Sequence, residues 1–489
     1  LTRKNGTEEK ETVKLRHAFP IAFLSCLLAL PRALVAQGNP GPSDGAISFW
    51  VREALLKDPR TETADITVGS DDGIVTLVGD VPTLSAKRYA ELEAQKITGV
   101  RGVVNELFVT PSLRFDADIA QDVRKRLITS ASLTSDGLRV AVHQGNVQLD
   151  GSVASWAERQ EAELLAGAVR GVKAVTNKLV VQYPNTRPDA EIQRDVVATL
   201  ARDVYLTGLP ITASVKEGVV TLDGEVGTAY EKQRAADDAH LIWNVVGVDN
   251  HLTVTRAEMM PTRQKSPTPT DDQLAAAVRD ALAADQRLAL AEVTAHVQHG
   301  EVTLHGTVLS NYQKRIAAQV AQDVVGVSRV TNRLTVQTAQ RNDADIQADV
   351  QLQLETDAFL APGSLGVRSH NGIVTLTGNV NNNFEKLHAT DAVSRVKGVR
   401  DIVNNIMVST AWDTDAAIAR RIKDFLATNA ELQGVVDQIH VAVNQGVVTL
   451  TGTVNFGSER DAAGEAAFET EGVRRVDNQL AVASAENAR

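Results

Sequence analysis

The chain has 489 residues, 43% hydrophobic but only 4% aromatic, and a formal net charge of −11. Several small cores of Ala, Val, Ile and Leu suit that palette better than one large enzyme core. The acidic balance argues against a sequence-independent grip on nucleic acid, where Lys and Arg must neutralise phosphates. The single cysteine, Cys26, leaves no disulfide or thiolate site in the rest of the chain.

In chain order, the first feature is a leader. Lys14 and Arg16 precede an apolar run from Ala18 to Leu30, and Ala33-Leu34-Val35-Ala36 follows. This is the order of a secretory signal, so residues 1–36 are expected to be a cleaved signal peptide, with a retained anchor as the alternative. The run is shorter than the roughly 20 residues that span a bilayer. Removing these residues leaves a chain of about −14.

Behind the leader, one pattern occurs six times. Each copy opens with an apolar trio at i, i+4, i+8: Ile47-Val51-Leu55, Ile119-Val123-Leu127, Ile192-Val196-Leu200, Leu274-Val278-Leu282, Ile346-Val350-Leu354 and Ile418-Ile422-Leu426. That spacing predicts a helix with one buried face. Asp44, Asp116, Asp189, Asp271, Asp343 and Asp415 precede the trios by three positions, where an N-cap is expected.

A hairpin follows. The segment Gly73 to Val81 reads Gly-x-Val-x-Leu-x-Gly-x-Val and recurs from Gly145, Gly218, Gly300, Gly372 and Gly446. Its first glycine predicts a tight turn with positive φ. Its second, at Gly79, Gly151, Gly224, Gly306, Gly378 and Gly452, is read as structural, leaving room for a second helix to approach closely. That helix carries small residues at Ala90, Ala162, Ala235, Ala317, Ala389 and Ala463, repeated four positions later as Ala or Val. A Gly-Val mark and an asparagine (Asn105 in the first copy) lead into a last strand. In the third copy Asn244 replaces that glycine, so its turn is expected to differ.

The predicted fold is therefore α+β: six tandem α-β-β-α-β modules, each a three-stranded sheet with two helices on one face. The modules are placed at 44–112, 116–184, 187–256, 271–338, 342–409 and 413–484. A Pro-rich spacer at 257–270, containing Met259 and Met260, suggests two groups of three joined by a semi-rigid link.

No Walker loop, nucleophile elbow or zinc-protease helix is present, and no residue is assigned a catalytic or cofactor role. The histidine cluster of the fourth module is His296, His299 and His305. His296 and His305 are predicted to lie diagonally on the outer face of the hairpin, within reach of one metal ion; the alternative is exposed, unlinked imidazoles. Trp50, Trp156, Trp243 and Trp412 are candidates for interface contact or for core packing.

The module order, the Gly-x-Val-x-Leu-x-Gly-x-Val run and the later Gly-Val…Asn-x-Leu resemble the BON domain of bacterial osmotically inducible and nodulation proteins. The resemblance covers residues 44 to about 482. It implies a non-enzymatic periplasmic or envelope protein that contacts phospholipid in envelope maintenance or osmotic stress. The alternative is a multivalent scaffold for envelope proteins. It supplies no catalytic motif and no cofactor, and gives the six glycines a structural role.

Overall fold

A computed structural model describes residues 41–483, except 62–63, 135–136, 256–268, 410–413 and 433. The leader, Met259, Met260 and Trp412 lie outside the described residues.

Each module folds in the predicted order. In the first, a helix spans Asp44–Lys57, a hairpin pairs Asp65–Asp71 with Ile74–Val81, a second helix spans Leu84–Gln95, and the last strand is Gly102–Val109. The last strand runs parallel to the second hairpin strand, which is the centre of the sheet. The intervening helix supplies the crossover that a parallel pair requires. In modules three, four and six the last strand is broken into two pieces that keep one register.

The apolar trios form the cores. All eighteen trio residues are buried, and so are both positions of the small-residue stripe, which lets the second helix sit low on the sheet. The recurring asparagine ties that helix to the last strand. Asn105 Nδ2 donates to Lys87 O while its Oδ1 accepts the Leu107 N–H, and the equivalent pair of bonds recurs in all six modules.

Three local expectations are corrected. The six aspartates are not N-caps; they are the first helical residues, and Ser43, Thr270, Asn342 and Thr414 cap four of the helices. Each aspartate instead accepts two backbone N–H groups from the hairpin turn, as Asp44 does from Asp72 and Gly73. The turn needs this because both of its residues are left-handed, Asp72 at φ 49° and Gly73 at φ 74°, which leaves their N–H groups outside the ladder. The second glycine likewise faces a strand and not the helix. A Cβ on Gly306 (φ 123°) would lie 1.9 Å from Glu292 O on the partner strand. Asn244 adopts the same left-handed conformation as the glycines it replaces, with φ 71°.

The modules are not separate beads. Gly41–Arg489 form one compact unit. The turns after the helices meet as antiparallel bridges that pair module 1 with 6 (Ile97 with Asn429), 2 with 5 (Ser130 with Val396, Val169 with Asp357) and 3 with 4 (Asp203 with Val324, Ile242 with Asp285). The 2–5 and 3–4 pairs are reciprocal, as a twofold relation requires.

A second contact runs head to tail, from the start of one second helix to the end of another. Ser85 Oγ donates to Gly167 O, Trp156 stacks on His240, and the Ala229 N–H reaches Val100 O. Asn311 Nδ2 donates to Arg400 O, Asn383 Nδ2 to Phe468 O, and the Gly457 N–H to Val327 O. These contacts close two rings, 1→2→3→1 and 4→5→6→4. Two three-membered rings joined by three seams, two of them reciprocal, form a pseudo-dihedral assembly within one chain. Modules 1–3 and modules 4–6 thus each close into a ring, and the two rings stack directly on one another through the seams; the Pro-rich segment 256–268 between them lies outside the described residues.

Candidate interaction surface

Because helices and their turns make the seams, the uncovered face of each sheet is left to solvent. Among the described residues, nine of the twenty exposed large apolar side chains fall between Phe49 and Phe115. Four of them share the outer face of the first sheet: Ile74 and Val78 on the central strand, Val104 and Phe108 on the last. Register places Val104 opposite Thr76 and Phe108 opposite Asp80, so they form one strip.

The strip runs on into the following linker, where Leu113 and Phe115 are 98% and 82% exposed. The backbone beside them is anchored. Arg114 between them is pinned by Asp122 Oδ2 at 2.7 Å and Arg170 O at 3.0 Å, and Phe115 O accepts the first N–H groups of the next helix. A shorter strip of the same design, Ile373, Val403 and Met407, lies on the fifth sheet. These residues escaped the sequence reading because alternate apolar residues on a strand look the same whether they face a core or water. The available signal was two large apolar residues, Leu113 and Phe115, in an otherwise polar linker.

The seams hold buried charge. At the 2–5 seam Asp357, 1% exposed, faces His388 Nε2 at 2.9 Å, Arg126 Nη1 at 3.4 Å and the Phe359 N–H at 3.0 Å. Burial alone would raise the Asp357 carboxyl, but His388 and Arg126 outweigh it and hold the group at about 2. Burial likewise disfavours charge on His388, and Asp357 outweighs that and raises its pKa. Arg395 clamps Glu161 across the same seam at 2.5–2.6 Å. A cavity of about 70 Å³ at the 3–4 seam, lined by Arg202, Asp203, Arg234 and Asp238, is well below the roughly 300–1,000 Å³ of ordinary ligand pockets.

His296 and His305 stand where the hairpin register predicts, diagonal on the outer face, with ring centroids 5.9 Å apart. His299 sits apart in the turn at φ 53°. No group of three or more His, Cys, Asp or Glu able to hold a metal occurs among the described residues. The six second glycines lie in the central strands of their sheets beside the backbone that leads into or forms the partner strand, and none lines the cavity at the 3–4 seam. The three described tryptophans are half-buried. Trp50 lies against the first core, Trp156 stacks on His240 at 4.2 Å, and Trp243 meets Tyr183 edge-on. No described helix is long and apolar enough to cross a membrane.

A family model described as the BON domain matches residues 43–111, 115–183, 188–256, 270–338, 342–410 and 414–484. The chain is 32% identical over 143 residues to the Osmotically-inducible protein Y of Escherichia coli (strain K12), covering 28% of this chain and 71% of that protein. It is 28% identical to the Outer membrane lipoprotein DolP of Haemophilus influenzae, covering 27% and 71%. It is 29% identical to a 21 kDa hemolysin of Actinobacillus pleuropneumoniae, covering 29% and 74%. A solved structure of CdsD, a structural protein of the type III secretion system of Chlamydia trachomatis, aligns at 19% identity over 47% of this chain and 97% of that one; its TM-score of 0.14 carries no argument.

Proposed function

The chain belongs to the BON domain family, and we propose that it is a non-enzymatic protein of the bacterial cell envelope that rests on phospholipid surfaces. The observation that carries this reading is the exposed apolar strip of the first sheet with Phe108, and Leu113 and Phe115 in the linker after it. The names of two relatives, one osmotically inducible and one an outer membrane lipoprotein, support the envelope setting.

The contact is apolar in character. Sinking Phe108, Leu113 and Phe115 below the headgroups removes three large side chains from water, at about 1.5–3 kcal/mol each. Net charge works the other way, because an acidic chain is repelled by anionic lipid. Binding should therefore be at least as strong on zwitterionic as on anionic vesicles, and on the zwitterionic ones should change little with salt.

The test is sedimentation of the chain without residues 1–36 with phosphatidylcholine vesicles and with vesicles containing phosphatidylglycerol. The expected result is co-sedimentation that the triple change Phe108→Ser, Leu113→Ser, Phe115→Ser abolishes while the melting midpoint stays put. Failure of the unaltered chain to sediment, or equal sedimentation of the triple variant, removes this reading. Lipid-independent capture of one envelope protein, lost in the same variant, would transfer the strip to the scaffold reading.

A further inference from the structure

The fourth module carries a feature that lipid contact does not use. Its outer face is polar where that of the first is apolar: His296 faces Thr303, and Thr294 faces His305, across one antiparallel register. The two imidazoles therefore form a diagonal pair flanked by two threonines. The pair is particular to this module. The positions equivalent to His296 are Gly69, Ala141, Ser214, Arg368 and Ala442, and those equivalent to His305 are Val78, Asp150, Asp223, Thr377 and Thr451.

The geometry suits a shared ion. A metal about 2 Å from each ring nitrogen lies about 3 Å from each ring centroid, so two rings on one ion have centroids from about 4.5 Å apart at a right angle to about 6 Å apart when nearly opposite. The observed separation is 5.9 Å, and the rings are crossed at 77° and not stacked. The sheet fixes both backbones, so most of the ordering that chelation requires is already present. Thr294 Oγ1 is spent on His305 O at 3.2 Å, which further fixes the strand pair.

We propose that His296 and His305 form a two-imidazole site for a late first-row divalent cation, with copper(II) bound more tightly than zinc and water filling the remaining positions. Two nitrogen ligands and an open, solvated side favour copper(II), which accepts a tetragonal set of nitrogen and oxygen ligands and leads the divalent affinity order. Binding needs no change of oxidation state, because each ring contributes only a nitrogen lone pair. An ion bridging the two strands should also hold the hairpin closed and raise the melting midpoint with concentration.

The experiment titrates the full chain, prepared without a polyhistidine tag, with copper(II) chloride and separately with zinc chloride. Calorimetry gives stoichiometry and affinity, and electron paramagnetic resonance reports nitrogen ligation. Outer-shell changes at metal sites cost about 10–100-fold in affinity, so loss of a direct ligand should cost at least about tenfold. His296→Gln and His305→Gln should each lose one copper equivalent, or weaken it by that factor, with the metal-free melting midpoint unchanged. The double variant should bind no more tightly than either single one. His299→Gln, at the turn, should bind as the unaltered chain does. No copper bound at micromolar concentration, or copper bound by both single variants as tightly as by the unaltered chain, overturns the site.

Discussion

Replacing Asp357 with Asn tests what holds the two rings together. The carboxylate, held at about 2 against an ordinary 3.8, prefers its charged form by about 2 kcal/mol in the folded chain. Its loss also leaves the Arg126 guanidinium, 2% exposed, and the imidazole of His388 facing each other without an anion. Breaking a buried pair in this way costs about 3–5 kcal/mol, and that is the expected loss at pH 6. The cost should shrink with rising pH. His388 has a raised folded pKa, so its contribution is complete below 6.5 and is lost as pH climbs through the raised value. Asp357 contributes above 3.8 and loses its part only as pH falls towards 2. Urea unfolding at pH 6 and pH 9, followed by far-ultraviolet circular dichroism, measures both effects. A cost below about 1 kcal/mol at pH 6, or one that does not change between the two pH values, would refute a charged seam.

Other changes probe the modules themselves. Gly306→Ala should destabilise the fourth hairpin by about 1–3 kcal/mol, since the new methyl meets Glu292 O at a positive φ; the melting midpoint reads it. Ala317→Leu should cost about 1–3 kcal/mol by pushing the second helix off its sheet, whereas an unchanged midpoint would contradict the packing. Backbone N–H donors hold Asp116, Asp271 and Asp343 below the usual carboxylate range, with Ser369 as the leading donor to Asp343. Their folded pKa values are depressed, so the turns they brace are supported above pH 3.8 and released as pH falls below it. The hydrogen-exchange protection factors of Gly145, Gly300 and Gly372, corrected for the intrinsic pH dependence of amide exchange, should fall in acid, and Asp271→Ala should abolish the protection of Gly300 at neutral pH.

Within a module, the fold was readable from spacing. Val51 and Ala94 lie where a 3.6-residue period places a buried face, and Gly73 lies where a two-residue turn needs it. The partner of a polar residue was less readable. Asp44 was correctly located near a helix start, but its hydrogen bonds run to residues 28 and 29 positions away, a distance that no local rule covers. The assembly of modules was least legible, because the seams do not repeat. Arg60, Tyr205, Phe359 and Glu431 occupy equivalent positions, so comparing copies averages their chemistry away. Arg126 on its own reads as one more charge on a solvated helix; only the pairing of modules 2 and 5 brings it to Asp357. For the surface, His296 and His305 were found because their residue type is distinctive, whereas Phe108 was not, because phenylalanine on a strand ordinarily signals a core.

The stacking of the two rings can be tested by covalent capture. Ser130 and Val396 are bridge partners flanked by the bonds Ala131 N–H to Arg395 O and Lys397 N–H to Thr129 O. Such a non-hydrogen-bonded antiparallel pair brings its Cα atoms to about 4.5 Å, inside the range a disulfide spans. In a background with Cys26 replaced by serine, the variant carrying Ser130→Cys and Val396→Cys should close a disulfide under mild oxidation at high dilution. The closed loop should migrate faster than the reduced chain on a denaturing gel, with neither single variant doing so. Two thiols that stay free, or that link only between molecules, would mean that modules 2 and 5 do not meet and that the paired-ring arrangement is wrong.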